Sequence, residues 1–484
     1  MLLTKKTKIV CTIGPSSSPK AVMLKMIDAG MNIARLNFSH GSFEEHFAKI
    51  QTIHEIEKEK GIIIPIMLDT KGPEIRTGNF EGGSCLYETG DEVKIYMKPV
   101  LGNRRQFSVT YPGLYDDAYI GAHIRLDDGN LGFEVIGKDP KEKTLIVRAL
   151  NHHRIKDERG VNCPDTHLNM PYISEKDFND LVWGCKNHVD YISASFVRNE
   201  KDIYDIRKVL DENGGQDIRI ISKVENTEAV EKLDEIINNS DGLMVARGDL
   251  GVEVPAEDVP VIQRKMIQKC RQLGKPIITA TQMLDSMQHN PNPTRAEVSD
   301  VANAVTESTD AVMLSGESAS GEYPVESVSM QAKIAGRMEQ FLNYEELNRE
   351  AYETSTKTLN DALANAVTNT ALLLDAKLIV CFSETGSTAR RLSKCRPCCP
   401  IIDVSNNRAA CVDAMLGFGA YPKLVKHVPQ FIEDMEVISL HVAKANNIIP
   451  GSKVIITGGT PVGAGKTNFM KVITYGNQEV DLDL

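Results

Sequence analysis

The sequence predicts an α/β protein: a (β/α)8 TIM barrel with an inserted all-β lid domain, followed by a C-terminal α/β domain. Eight apolar runs of strand length alternate with helical patterns, as is typical of parallel barrels. One interval between these runs changes to short alternating strands, and a second strand–helix series follows residue 340. A length of 484 residues also exceeds a single core, so we expect two or three domains.

The barrel strands are predicted from runs that are rich in isoleucine and valine and show little alternation between apolar and polar residues. Parallel strands buried on both faces have this composition. The predicted strands span residues 9–13, 32–38, 62–69, 190–196, 218–224, 243–247, 276–281 and 311–315. The predicted helices between them span residues 21–29, 43–60, 175–188, 201–212, 228–238, 258–273 and 295–307. We therefore assign residues 1–70 and 167–340 to the catalytic barrel.

The interval from residue 71 to residue 166 is predicted to form the inserted lid. Its short alternating strands are separated by turn signals such as Gly82-Gly83 and Asp128-Gly129. The insertion follows the third barrel strand, at the end of the barrel where active sites lie. A small domain at this place can close over the site and exclude water.

The last part of the chain, residues 341–484, is predicted to be an independent α/β domain. It begins with a polar helix and continues with strands at residues 377–382, 401–404, 424–427, 453–457 and 470–475. Its stretch from Thr460 to Thr467 is similar to a nucleotide P-loop, but Thr460 stands where that motif requires its first glycine. We therefore reject a P-loop in this domain.

Composition excludes several function classes. The net charge of −11 argues against a general nucleic-acid binder, because neutralising phosphates needs a basic face. No apolar stretch is long enough to span a bilayer, and the first residues do not form a signal peptide, so we expect a cytoplasmic protein without a membrane partner. The ten cysteines do not indicate a disulfide framework. The cluster of Cys395, Cys398 and Cys399 lacks the fourth ligand of a structural zinc site.

Charged residues follow the predicted fifth and sixth barrel strands. Lys223 and Glu225 come at the end of the fifth strand, and Arg247 and Asp249 at the end of the sixth. Because the carboxyl ends of barrel strands converge on one mouth, these side chains should lie together. Two carboxylates beside a cation can hold a divalent metal next to a phosphorylated anion. The backbone N–H of Gly248 adds an anion-binding group at a helix start.

The predicted second strand places Arg35, Asn37 and Ser39 on one face, because side chains alternate along a strand. Arg35 is suited to bidentate contact with a phosphate. An arginine at the barrel mouth needs an anion, which is either a bound substrate or a structural carboxylate such as Asp69.

Hydroxyl groups follow the seventh and eighth strands and the first strand of the C-terminal domain. Thr281 and Ser315 are candidates for orienting water or relaying a proton, although each is also explained as a hydrogen-bonded core hydroxyl. The stretch from Ser383 to Thr388 presents hydroxyls and backbone N–H groups at a predicted helix start, where a phosphate binds well.

With these residues in place, the chain resembles the pyruvate kinase family from Lys8 to Tyr475. The segments that carry the resemblance are residues 35–40, 68–78, 221–226, 244–253, 280–287, 293–304 and 311–319. The resemblance implies the family's barrel, its β lid after the third strand and a C-terminal regulatory domain. It also implies phosphoryl transfer from phosphoenolpyruvate to ADP, giving pyruvate and ATP at the end of glycolysis. The implied assembly is a homotetramer regulated by a phosphorylated small-molecule effector.

The resemblance implies four residues around the transferred phosphoryl group. Glu225 and Asp249 would ligate magnesium or manganese. Lys223 would stabilise the charge of the phosphoryl group in flight, a task suited to an ammonium point charge. Arg35 would hold the same phosphoryl group.

Further substrate contacts are implied by the same resemblance. The substrate carboxylate would be bound by Thr281 and by the backbone around Arg247, Gly248 and Asp249. The water network that protonates the enolate would include Thr281, Ser315 and Glu317. The nucleotide contacts would be Arg76 and His40. The effector contacts would be Ser383, Thr385, Gly386, Ser387 and Thr388.

The family also uses a monovalent cation. The groups that hold it match Asn37, Ser39, Asp69 and Thr70. Members with glutamate at the position of Glu74 resemble potassium-dependent enzymes, whereas members with lysine there do without potassium. A fixed ammonium group can replace the charge of a bound potassium ion, so we predict potassium activation.

Three positions depart from the family pattern. Asp165 stands where members commonly have a glycine after the lid, which can stiffen the hinge. Asn199 replaces a lysine that often contacts the nucleotide. Glu384 would repel a sugar bisphosphate unless it faces away, so a monophosphate or a nucleotide is an equally suitable effector.

Two alternative functions are a catalytically inactive metabolite-sensing homologue and another barrel enzyme of enolpyruvate chemistry, such as an aldolase or a phosphomutase. An inactive homologue would usually have lost a catalytic position, whereas the positions expected of an active enzyme are all filled by Arg35, Lys223, Glu225, Asp249 and Thr281. The large lid insertion and the C-terminal domain argue against the second alternative.

Overall fold

The structure is a computed structural model that describes residues 5–460, 465 and 467–476. Most of the P-loop-like stretch, namely residues 461–464 and Lys466, lies outside the described residues. Within the part of the chain that the structure describes, no helix is long and apolar enough to traverse a membrane. The ten cysteines are free thiols, and Cys398 is the one that is partly exposed.

Eight parallel strands close into a barrel, which confirms the predicted fold class. In chain order they are Lys8–Thr12, Ile33–Asn37, Ile66–Asp69, Tyr191–Ala194, Arg219–Val224, Gly242–Ala246, Ile277–Ala280 and Ala311–Leu314. Each strand pairs with the next one along the chain, and the eighth pairs with the first. Nearly all their residues are buried, which explains the continuous apolar runs in the sequence.

Helices surround the barrel as the sequence predicts. They are Lys20–Ala29, Phe43–Lys60, Glu175–Lys186, Glu200–Glu212, Thr227–Glu231, Leu233–Asn239, Arg247–Glu253, Val259–Leu273, Arg295–Thr306, Gly316–Ala319 and Pro324–Glu339, with a 3₁₀ helix at Asp285–Gln288. The single helix predicted at residues 228–238 is wrong, because the helix breaks at Lys232, where ψ is +22°. Neither glycine nor proline marks this break in the sequence.

The segment after the third strand folds into β-structure. One sheet of seven strands contains, in spatial order, Ile75–Arg76, Gly160–Asn162, His123–Leu126, Leu131–Asp139, Thr144–Ala149, Glu92–Tyr96 and Gln106–Ser108. A separate pair consists of His153–Lys156 and Ser84–Tyr87. A short helix at Leu114–Asp117 and a 3₁₀ turn at Glu81–Gly83 complete the segment. The lid touches the barrel through Asn162, whose Nδ2 donates to Glu253 Oε1 at 2.8 Å.

The C-terminal segment is an α/β sheet. Its strand order is Ala420–Leu424, Ile401–Ser405, Leu378–Phe382, Lys453–Gly458 and Phe469–Thr474, with the last strand antiparallel to its neighbour. Its helices are Tyr344–Glu353, Leu359–Leu373, Ser387–Lys394, Arg408–Met415 and Ile432–Ala445. The strand predicted at residues 424–427 is wrong, because it lies earlier and contains Pro422. A proline is tolerated there because this is the edge strand of the sheet.

The C-terminal segment closes the amino-terminal end of the barrel. Cys411, Val412 and Met415 of helix Arg408–Met415 join one buried cluster with the residues that fill the barrel interior. The hydroxyl of Tyr191, at the start of the fourth strand, donates to the carbonyl of Val412 at 2.5 Å. The opposite end of the barrel, where the strands finish, is left as the mouth.

Candidate active site

A buried network lies where the second to fifth strands finish. The strand register brings these residues together, because Asp69 of the third strand is paired with Asn37 of the second strand and with Ser193 of the fourth. The members of the network, each no more than 9% exposed, are Arg35, Asp69, Ser195, Lys223 and Glu225.

The ammonium group of Lys223 lies among two carboxylates and a hydroxyl. Its Nζ is 2.8 Å from Glu225 Oε1 and 3.4 Å from Asp69 Oδ1, and it donates to Ser195 Oγ at 2.9 Å. Burial favours the neutral amine, but the charges of Asp69 and Glu225 outweigh burial and raise the pKa of Lys223 above its ordinary value. Lys223 is therefore a fixed positive charge in the mouth.

Glu225 has one oxygen engaged by the backbone and one that accepts no hydrogen bond. Oε2 accepts from the N–H of Phe196 at 2.6 Å. Oε1 is buried without a hydrogen bond of suitable geometry, although Lys223 Nζ lies nearby. Burial raises the pKa of Glu225 to about 7, and the negative charge of Asp249 adds to the rise.

This arrangement fits a divalent cation. Glu225 Oε1 is paired with the ammonium group of Lys223, and a carboxylate oxygen has a second lone pair for a further ligand. Glu225 and Asp249, whose negative charge acts on Glu225, would offer two carboxylates. Across residues 5–460, 465 and 467–476 no group of three or more potential His, Cys, Asp or Glu ligands occurs. Magnesium is commonly held by one or two carboxylates, with substrate oxygens and water as its remaining ligands.

The guanidinium of Arg35 contacts a structural carboxylate, one of the two partners that the sequence left open. Its Nε donates to Asp69 Oδ2 at 2.6 Å, and its Nη1 donates to Thr12 Oγ1 at 2.8 Å. Burial of Asp69 favours its neutral form, but the charges of Arg35 and Lys223 prevail and lower the pKa of Asp69. The ionised Asp69 therefore orients both cations of the network.

The four residues matched to a potassium site lie at the ends of neighbouring strands. Asn37 and Asp69 are directly paired. Asn37 Oδ1 accepts from the backbone N–H of Ser39 at 3.1 Å. Thr70 Oγ1 accepts from the N–H of Ser195 at 3.1 Å. Ser39 is exposed while Asp69 and Thr70 are buried, so the set reaches from the surface into the mouth.

The side chain of Arg247 is engaged within the protein. Its Nη1 and Nη2 donate to the two carboxylate oxygens of Asp300 at 2.7 Å each. Nη2 also donates to the carbonyl of Thr281 at 2.7 Å, and Nε donates to the carbonyl of Ala280 at 3.2 Å. The guanidinium thus ties the end of the sixth strand to the end of the seventh.

Gly248 and Thr281, both matched to the substrate, bind each other. The N–H of Gly248 donates to Thr281 Oγ1 at 2.8 Å. Thr281 has φ of +69°, a conformation that is costly for a β-branched residue. Strain of this kind is typical of functional sites. A bound carboxylate, which only accepts hydrogen bonds, could take the place of the Thr281 hydroxyl as the acceptor of the Gly248 N–H.

Glu317 joins the loops that follow the seventh and eighth strands. Its Oε2 accepts from the N–H of Ser315 at 2.8 Å, and its Oε1 accepts from the N–H of Leu284 at 3.1 Å. Burial raises the pKa of Glu317 above its usual range. Ser315 itself is half-buried beside it.

The two residues matched to the nucleotide lie on different elements. His40 lines a cavity of about 820 Å³ together with Pro15, Asn37 and other residues that follow the first, second and eighth strands. Arg76 lies in the first lid strand, with Nη2 2.7 Å from Glu74 Oε1 and Nη1 donating to the carbonyl of Glu158 at 2.8 Å. Arg76 is not among the described residues that line this cavity.

The stretch matched to an effector site connects strand Leu378–Phe382 to helix Ser387–Lys394. Gly386 has φ of +74°, and a Cβ there would lie 2.7 Å from the carbonyl oxygen of Ala410, so the turn requires glycine. Thr388 Oγ1 lies 2.7 Å from Thr467 Oγ1. The members that gather at this helix start are Ser383, Thr385, Gly386, Ser387 and Thr388.

Two departures from the family pattern have structural partners. Asp165 Oδ2 is 2.6 Å from His123 Nδ1, so the hinge is tied to a lid strand. Asn199 caps helix Glu200–Glu212, because its side chain accepts from the N–H of Lys201 at 3.1 Å.

Three residues that sequence reasoning missed shape this site. Ser195 follows the fourth strand, so the rule of polar residues at strand ends could have found it. Thr12, which contacts Arg35, ends the first strand and follows the same rule. Asp300 lies inside helix Arg295–Thr306, and no local signal distinguishes it from other helical carboxylates.

Comparisons with known proteins show the family of the chain. One family model, the barrel domain of pyruvate kinase, matches residues 4–328, and another, the alpha/beta domain of pyruvate kinase, matches residues 361–473. A pyruvate kinase from Geobacillus stearothermophilus is 48% identical over 471 residues, which cover 97% of this chain and 80% of that protein. One from Bacillus licheniformis is 46% identical over 473 residues, which cover 98% of this chain and 81% of that protein.

A solved structure is similar as well. The crystal structure of a pyruvate kinase from Cryptosporidium parvum matches with a TM-score of 0.92 and 37% sequence identity, covering 98% of this chain and 96% of that chain. The chain therefore belongs to the pyruvate kinase family and is a phosphotransferase.

Proposed function

We propose that this protein transfers the phosphoryl group of phosphoenolpyruvate to ADP and releases pyruvate and ATP. The observation that carries the proposal is the fixed ammonium group of Lys223, 2.8 Å from Glu225 Oε1 and close to the Arg35–Asp69 pair. Family membership implies a divalent cation in general, and phosphoryl transfer depends mainly on positioning and charge stabilisation.

The positive groups of the mouth would bind the phosphoryl group. Hydrogen bonds to Asp69 and Thr12 fix the orientation of the Arg35 side chain, so its guanidinium is pre-organised for a phosphate. Lys223 would stabilise the charge that spreads over the phosphoryl oxygens between donor and acceptor. Magnesium or manganese, held by Glu225 and Asp249, would supply further positive charge to the same oxygens.

The carboxylate end of phosphoenolpyruvate would be bound between the ends of the sixth and seventh strands. The N–H groups near Gly248 and the Thr281 hydroxyl would take the carboxylate, replacing the hydrogen bond that they make with each other. The water that protonates the enolate carbon would be held by Thr281, with Ser315 and Glu317 nearby. Because Glu317 is fixed by two backbone N–H groups, its part is to position the loop of Ser315.

Potassium is the second proposed cation. Asn37, Ser39, Asp69 and Thr70 offer oxygen atoms, as a hard monovalent cation requires, and lie together at the ends of two paired strands. Glu74, which marks potassium dependence in the resemblance, is paired with Arg76 at 2.7 Å.

The remaining assignments are proposals of the same kind. ADP would lie against His40 in the cavity of about 820 Å³, with Arg76 reaching it from the lid. A phosphorylated effector would bind at the start of helix Ser387–Lys394. We also propose the domain division at residues 1–70 and 167–340, 71–166 and 341–484, a homotetramer and a cytoplasmic location.

The direct test is pyruvate formation from phosphoenolpyruvate and ADP with magnesium, compared between the wild type and Glu225→Gln. We expect turnover by the wild type and a loss of at least about 100-fold in the variant, since charge stabilisation of this kind is worth that much. No turnover by the wild type, with sugar phosphates and nucleoside monophosphates also added, would favour the inactive sensing homologue instead.

A further inference from the structure

We infer that Ser195 is a positioning residue that fixes the direction of the Lys223 ammonium group toward the transferred phosphoryl group. This inference rests on the proposed phosphoryl transfer. Ser195 follows the fourth strand, Tyr191–Ala194, and is 2% exposed. Its hydroxyl is the neutral acceptor of Lys223, beside the carboxylates of Asp69 and Glu225.

The backbone of Ser195 is held on both sides. Its N–H donates to Thr70 Oγ1 at 3.1 Å, and its carbonyl accepts from the hydroxyl of Tyr172 at 2.8 Å. Gly72 packs against the same carbonyl so closely that a Cβ on Gly72 would lie 2.8 Å from it. The position of Cβ in Ser195 is therefore set by the barrel and by the segment that leads into the lid.

The hydroxyl has a defined pattern of donors and acceptors. An ammonium group only donates, so Lys223 Nζ must donate to Ser195 Oγ across their separation of 2.9 Å. The single hydroxyl proton then has two acceptors, the Thr70 carbonyl at 2.6 Å and Asp69 Oδ1 at 3.1 Å. Whichever acceptor takes the hydroxyl proton, the direction of the O–H bond is set, and the lone pairs of Oγ that can accept the ammonium proton are set with it.

A neutral acceptor has a different effect from a carboxylate. Asp69 and Glu225 attract the ammonium group but also compensate its charge. In the proposed function Asp69 would also bind potassium, and Glu225 would also bind magnesium or manganese. The Ser195 hydroxyl orients Lys223 through a hydrogen bond to a charged group without cancelling that charge. The hydrogen bond to Ser195 thus orients Lys223 without adding to the compensation of its charge, which acts on the phosphoryl oxygens as their charge develops in the transition state.

The test compares Ser195→Ala, Ser195→Thr and the control Ser193→Ala. Ser193 lies on the fourth strand, two residues before Ser195, and is fully buried, but its hydroxyl has no hydrogen-bond partner. We expect Ser195→Ala to lower kcat by about 10- to 100-fold, the factor for one lost hydrogen bond to a charged group, with little change in KM for phosphoenolpyruvate. Ser195→Thr, which retains the hydroxyl, should recover most of the loss, and Ser193→Ala should stay near the wild type.

Thermal unfolding, followed by the fluorescence of the single tryptophan Trp183, separates positioning from folding. The inference is supported if kcat falls in Ser195→Ala while the melting temperature matches that of Ser193→Ala. Equal kcat in Ser195→Ala and Ser193→Ala would overturn it, as would a loss confined to KM or one that Ser195→Thr does not recover. If the wild type itself does not form pyruvate, the proposed function fails first and the inference fails with it.

Discussion

Both terminal nitrogens of Arg247 donate to the carboxylate of Asp300, at 2.7 Å each, so a helix after the seventh strand fixes the end of the sixth. Bidentate pairs of this kind are strong and directional. Arg247 immediately precedes Gly248 and Asp249, the groups proposed to bind the carboxylate and the metal. The pair therefore positions these backbone groups at the end of the sixth strand.

We predict that Asp300→Asn and Arg247→Lys each lower kcat/KM by about 10-fold or more, since a bidentate charged pair is worth roughly 1.5–3 kcal/mol. The double variant should be little worse than either single variant, because both remove the same interaction. Steady-state kinetics of the four proteins measure this coupling. Fully additive losses would show that the two residues act independently.

Potassium dependence is predicted from the resemblance at Glu74. We expect added potassium to raise the rate of the wild type in potassium-free buffer, and Glu74→Lys to show activity that potassium no longer stimulates. The fixed ammonium would supply the charge of the missing ion. Glu88→Lys, the same charge change at an exposed lid position, is the control and should retain potassium activation. A wild-type rate that does not respond to potassium would refute the proposed site.

The pH dependence of stability should reveal Asp403. This carboxyl is fully buried, and its burial, with the nearby charge of Asp413, raises the pKa of Asp403 to about 7 against the hydrogen bond from Cys381. The unfolded chain releases the same proton near pH 3.9. Between about pH 4 and pH 7 Asp403 therefore holds its proton in the folded protein but not in the unfolded chain, so its contribution to stability falls as the pH rises.

We predict that the melting temperature of the wild type falls relative to that of Asp403→Asn across this pH range. The asparagine cannot ionise and does not acquire a buried charge at higher pH. Calorimetric scans of both proteins between pH 5 and pH 8 measure the difference, and parallel curves would show that Asp403 is ionised throughout.

A buried ion pair joins the barrel to the C-terminal segment. Arg396 Nη1 lies 2.6 Å from Asp310 Oδ1, and Asp310 also accepts from the N–H groups of Phe418 and Ile277 at 3.1 and 3.0 Å. We predict that Arg396→Met costs about 3–5 kcal/mol, because it leaves a buried carboxylate without its cation. Urea denaturation measures the cost. Adding Asp310→Asn should restore part of the stability, and no recovery would indicate that packing rather than charge is lost.

The sequence was most informative where burial sets the pattern. The eight barrel strands were predicted because parallel strands buried on both faces leave continuous apolar runs, and Lys223, Glu225, Arg35 and Asp69 meet as strand-end residues should. Side-chain direction was not predictable in the same way. The orientation of Arg247 depends on Asp300, 53 residues further along the chain, and no local pattern reveals such a partner.

Two element errors have a similar origin. The edge strand Ala420–Leu424 was not predicted, because a proline such as Pro422 usually argues against a strand. The sheet order shows that this strand lies at an edge, where a proline is tolerated. The break at Lys232 depends on tertiary packing, since helix propensity along that segment continues without interruption.

The central claim is that Lys223 stabilises the phosphoryl group as it passes from phosphoenolpyruvate to ADP. The most direct measurement is ³¹P NMR of phosphoenolpyruvate and ADP with magnesium and potassium, in the presence of the wild type or Lys223→Met. We predict conversion into the γ-phosphate of ATP by the wild type and a rate at least about 100-fold lower in the variant. Conversion at an undiminished rate by Lys223→Met would contradict it.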